Sequence, residues 1–107
     1  MLTAIFAENY KNAISYLENM VGEMKYKDVE YFVKSHSSSV KKAEVKLKNG
    51  DIYTVLPCSE TIRGYKWNNA IVSRNVPLDF INQRIAGGIY LGEHGEYGDI
   101  MFFDEKE

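Results

Sequence analysis

The feature that most constrains this chain is the dipeptide Asn49-Gly50, set between two stretches of alternating character within Ala43–Leu56. Both residues tolerate a positive φ, so the pair predicts a two-residue type I′ turn closing an antiparallel hairpin. That turn fixes a register. Lys48 faces Asp51, Leu47 faces Ile52, Val45 faces Thr54 and Ala43 faces Leu56. One face is then mostly apolar, while Glu44, Lys46 and Lys48 point to the other. Pro57 ends the second strand, because it has no N–H to give to a ladder.

Other elements follow from spacing. Leu2–Ala7 is a short apolar run and reads as a buried strand. Asn9 suits a helix N-cap, since its side chain accepts from a free backbone N–H. Beyond it Tyr10, Ala13, Ile14, Leu17, Val21 and Met24 recur at helical spacing, with Lys11, Asn12, Glu18, Asn19 and Glu23 largely opposite. Val29–Val33 is β-branched and aromatic and reads as a strand. Ser35–Ser39 is polar and reads as a loop. Residues 58–69 read as a polar loop, Ala70–Val72 as a buried strand, and Pro77-Leu78-Asp79 as the start of a helix carrying Phe80, Ile81, Arg84 and Ile85. Gly87-Gly88 stops that helix. Ile89–Leu91 and Ile100–Phe103 are expected to form a final strand pair, joined through Gly92, Gly95 and Gly98.

A length of 107 residues suits one domain, and no repeat or linker divides it. Eight tyrosines, five phenylalanines and one tryptophan supply material for a core. The expected fold is α/β or α+β: a single domain whose mixed sheet holds a central hairpin and is packed by two helices. Net charge is −2, so no global basic field exists for nucleic acid. The charge is uneven, however. Residues 92–107 hold six acids against Lys106, a net −5, which leaves residues 1–91 at +3. This acidic segment reads as a last strand followed by a short solvated tail. The single cysteine, Cys58, permits no internal disulfide and fits a reducing compartment. The start of the chain lacks the basic region of a signal peptide, and no apolar run is long enough to cross a bilayer. The expectation is a cytoplasmic protein with no membrane partner.

The order strand, helix, hairpin, arginine-glycine loop, strand resembles the central part of the phage terminase large-subunit and P-loop ATPase core. The matching text is Lys48-Asn49-Gly50-Asp51-Ile52 through Val55-Leu56-Pro57, then Ile62-Arg63-Gly64-Tyr65 and Ala70-Ile71-Val72. The resemblance covers residues 2–85, with its informative part in residues 48–72. It implies a degenerate P-loop fold and a phage or prophage setting. The departures matter more than the matches. ATP hydrolysis of that kind needs a Gly-x-x-x-x-Gly-Lys-Ser/Thr loop to neutralise the phosphates, and none occurs here. A metal-binding acid should follow Ala70-Ile71-Val72, yet Ser73-Arg74 stands there, and a guanidinium repels Mg²⁺. No catalytic residue carries over. No ATP hydrolysis, no cofactor and no metal site are expected.

The loop Arg63-Gly64-Tyr65-Lys66-Trp67 is the candidate partner-binding site, because arginine, tyrosine and tryptophan dominate interface hot spots. The same types can stack on a nucleobase or meet a phosphate. Against this stands a packing explanation, in which Trp67 and Tyr65 cap the core. Lys41, Lys42, Lys46 and Lys48 read as a solvated face or as protection of an edge strand. His36, His94 and Cys58 lack zinc-like spacing and show no nucleophile motif.

The expected function is that of a small non-catalytic phage- or prophage-type protein that binds a protein partner, for example to inhibit a host defence or replication factor. The alternative is a nucleic-acid-binding accessory of DNA packaging or recombination. The oligomeric state is open: the hairpin edge and the apolar first strand would suit pairing with another chain, including a second copy.

Overall fold

The computed structural model describes residues 1–36, 41–58, 66–89 and 98–105. They form one six-stranded mixed sheet with helices on both faces, in agreement with the expected fold class. The strands are β1 (Leu2–Phe6), β2 (Val29–His36), β3 (Lys41–Leu47), β4 (Ile52–Val55), β5 (Asn69–Ser73) and β6 (Ile100–Phe103), laid side by side as β2-β3-β4-β1-β5-β6. β4, β1, β5 and β6 run parallel, and β3 is antiparallel to both its neighbours.

β1 lies inside the parallel half, which explains its unbroken apolar sequence. Ile5 and Phe6 are both fully buried, one on each face. On one face Ile5, Val45, Val55 and Ile71 meet helix α1 (Tyr10–Gly22) through Ala13, Ile14 and Leu17. Each such large side chain removed from water contributes roughly 1.5–3 kcal/mol. Asn9 caps α1 as expected, its Oδ1 accepting from the Lys11 N–H at 2.8 Å. A short 3₁₀ turn, Tyr26–Asp28, leads from the helix to β2.

On the other face Ala4, Phe6, Ala70 and Val72 meet Trp67 and a second helical run. That run begins as α2 (Leu78–Phe80) behind Pro77, widens to a π-helical turn over Ile81–Ile85 and tightens at Ala86–Gly88. Phe6 anchors this layer, edge-on to Trp67 at 5.2 Å and to Phe80 at 6.2 Å between ring centroids.

Two expectations need correction, the hairpin register and the stretch after Val33. The hairpin is offset by one residue, pairing Lys46 with Ile52, Val45 with Tyr53 and Glu44 with Thr54. Among the described residues only Gly50 has a positive φ, at 100°, so Asn49 does not take the left-handed conformation a type I′ turn requires. Instead the Gly50 N–H donates to the Leu47 carbonyl at 3.0 Å and the Leu47 N–H to the Asp51 carbonyl at 2.8 Å, a three-residue loop closed by a glycine bulge. The Asn49 side chain supports it by accepting from the Asp51 N–H at 2.9 Å. The offset turns β4 over: Val55 now joins Val45 and Ala43 beneath α1, while Leu56 packs with the opposite cluster.

The last strand has a partner that its spacing did not reveal. Ile100–Phe103 pairs in parallel with β5. Ile89 makes a single bridge to Trp67, and residues 90 and 91 lie outside the described residues. The polar stretch after Val33 also continues the strand, since β2 runs to His36, and residues 37–39 lie outside the described residues. Among the described residues no helix is long and apolar enough to cross a membrane.

Candidate functional site

Of the loop Arg63-Gly64-Tyr65-Lys66-Trp67, the first three residues lie outside the described residues. Lys66 is exposed, with its ammonium donating to the Gly87 carbonyl at 3.1 Å. Trp67 is 1% exposed and belongs to the core. Its ring lies so close to Gly88 that a Cβ there would sit 2.3 Å from Trp67 Cζ2. The Trp67 backbone N–H donates to the Gly88 carbonyl at 3.0 Å. The loop therefore ends in a packing anchor, and Lys66 is its solvent-facing member among the described residues.

A second cluster stands at the carboxyl end of the parallel strands. β1 leads into α1 on one face and β5 leads toward α2 on the other, so the chain diverges between two adjacent parallel strands. In open α/β sheets this switch point is where a crevice forms. Here the chain's own Glu105 enters it. Ser73 Oγ donates to the carboxylate at 2.7 Å and Asn12 Nδ2 at 2.9 Å, while Asn75 and the Asn9 backbone add further bonds. Burial by itself would raise this carboxyl, but the bonds from Ser73, Asn12, Asn75 and Asn9 outweigh it and hold it below the ordinary carboxylate range. The C-terminal segment thus brings a carboxylate to the end of β5. Glu105 is not the solvated tail residue expected, because Ser73, fully buried, needs an acceptor.

Neighbouring groups reinforce this end. Arg74 Nε lies 3.1 Å from Asp104 and its guanidinium sits over the Phe102 ring at 5.9 Å. Phe103 packs on Tyr16 at 4.3 Å. Cys58 Sγ donates to the Ala7 carbonyl at 3.3 Å. Burial, and secondarily the Glu105 carboxylate, push the Cys58 thiol up to about 11. Such a thiol is a poor nucleophile. His94 lies outside the described residues, and among the described residues no three His, Cys, Asp or Glu side chains gather where a metal ion would fit.

The third feature is the sheet edge at β2. Tyr31, Phe32 and Val33 are each about two-fifths exposed, and Tyr26, in the turn before them, is 96% exposed. Phe32 stands on the α1 face beside Val45, while Tyr31 and Val33 stand on the other, where the Tyr31 hydroxyl donates to Glu44 at 2.6 Å. Between the end of α1 and β2 runs a groove of about 590 Å³ with Val21, Met24, Tyr26, Val29 and Phe32 on its walls and Lys27, Glu30 and Lys48 at its rim. The β-branched and aromatic character of Val29–Val33 marks a strand but carries no sign that it lies at an edge. A strand's alternation reports its own two faces and says nothing about whether a further strand pairs beyond it.

No family model, no curated protein and no solved structure matches this chain.

Proposed function

We propose that this chain is a non-catalytic binding protein whose partner is another protein. The observation that carries this reading is the exposed edge strand β2, with Tyr26 and Phe32 on the groove beside α1 and Tyr31 and Val33 exposed on the other face. Exposed apolar side chains beside a charged rim are a usual mark of a protein contact surface. The Arg63-Gly64-Tyr65-Lys66 segment is a second contact element in this reading. The terminase resemblance, with its nucleotide-binding and metal-binding residues missing, favours a phage or prophage protein that occupies a surface of a host factor.

The test is capture from bacterial lysate by wild type, by Tyr26→Ala/Phe32→Glu and by Arg63→Ala. A partner retained by wild type and lost with the first variant supports the reading. Equal recovery of every specific protein by wild type and the first variant removes it, and loss with Arg63→Ala alone marks only the loop as the contact.

Nucleic-acid binding is the second reading, favoured by Lys11, Lys27 and Lys48, which have no carboxylate within 4.0 Å among the described residues. Retention of DNA at low salt that falls steeply as salt rises would support it.

A further inference from the structure

The edge of β2 carries more information than its exposure. Leu47 directs its N–H toward β4, as its bond to Asp51 shows. Backbone direction alternates along a strand, so Lys46 and Glu44 turn theirs toward β2, where they oppose Tyr31 and Val33. Phe32 and Lys34 therefore point their N–H and C=O groups outward, away from the sheet. The register irregularity between Val29 and Tyr31 interrupts this row on one side and sets where a new strand would begin.

The groove beside this edge has an unbalanced charge. Glu30 is paired with Lys46 at 3.3 Å, and Glu18 with Lys34 at 2.8 Å. Lys27 and Lys48, on the same groove, have no such partner among the described residues. An occupant must satisfy outward backbone groups, fill an apolar wall and answer two ammonium groups.

Building on the protein-binding reading above, we infer that β2 accepts an extended acidic segment of a partner protein as a seventh strand. An apolar or aromatic side chain of that segment lies against Val21, Met24 and Phe32, and its carboxylates meet Lys27 and Lys48. Strand addition gives affinity through the main chain and specificity through alternate side chains. A nucleic acid would answer the lysines but not the outward N–H and C=O groups of Phe32 and Lys34. A second copy would bring its own Lys27 and Lys48 to a rim that already carries two uncompensated ammonium groups.

The probe is a library of surface-displayed random octapeptides selected on the full chain, followed by a fluorescent copy of the enriched sequence. The expected winners alternate apolar residues with Asp or Glu. Their binding should weaken at least tenfold in Lys27→Glu/Lys48→Glu, first shown to melt at the wild-type temperature. Amide exchange at Phe32 and Lys34 should slow when the peptide binds. Winners without acids, or binding that leaves those two amides unprotected, overturn the inference. So does protection of the same amides in the peptide-free chain together with a dimer in sedimentation equilibrium, which would make a second copy the occupant. Preferential binding of oligothymidylate overturns it in favour of nucleic acid. If no peptide is selected while lysate capture still depends on Phe32, the inference fails and the protein-binding reading stands. If Phe32→Glu captures the same proteins as wild type, both fail.

Discussion

Ser73 Oγ donates to the Glu105 carboxylate across 2.7 Å, joining the end of β5 to the C-terminal segment at the point where the sheet sends its connections to opposite faces. The hydroxyl is buried and the carboxylate is its acceptor, so each group satisfies the other. This bond ties the segment after β6 to the end of β5, and the one from Asn12 ties it to α1.

Glu105→Ala is expected to lower stability by about 1–2 kcal/mol, the range for hydrogen bonds to a charged group that is partly solvated. Urea unfolding checks it. Because the folded carboxyl titrates below its unfolded value, its contribution is present above the ordinary carboxylate range. It is lost as pH falls through the lowered folded value. Glu105→Ala should therefore be less sensitive than wild type to pH over that acid window.

Cys58 should react slowly with a thiol reagent at pH 8, since its titration lies near 11. Glu105→Gln removes the secondary cause and should speed the reaction, which timed absorbance measurements would show. Equal rates for Cys58 and a free thiol would contradict the buried, hydrogen-bonded geometry.

Trp67→Ala is expected to cost about 3–5 kcal/mol, as befits a buried aromatic side chain removed from the core. It would unfold much of the population and is useless as a probe of binding. Gly88→Ala should also be destabilising, because the added Cβ meets the indole. Thermal melts of both variants test this.

Gly50→Ala should cost about 1 kcal/mol, because alanine is strained at a φ of 100°. Asn49→Ala should cost less, losing only the side-chain bond to the Asp51 N–H. A type I′ turn would make Asn49 a second left-handed position, so comparable losses at both sites would contradict the bulged loop.

Periodicity made β1, α1, the hairpin strands, β5 and the second helical run legible, because each buries a face that its own sequence displays. The hairpin register was not legible. Asn-Gly serves both a two-residue turn and the glycine bulge, and only packing of Val55 beneath α1 decides between them. Trp67 carries the residue type of a hot spot and of a core anchor alike, and its burial depends on Gly88, 21 residues away. Glu105 was hidden for a similar reason. Nothing near it in sequence shows that β6 pairs with β5 and brings it to Ser73 and Asn12.

The most direct test of the binding role uses wild type and Tyr26→Ala/Phe32→Glu, first shown to melt at the same temperature, as baits in bacterial lysate. The account predicts that wild type retains a specific protein that the variant loses. Equal retention of that protein by both would contradict it.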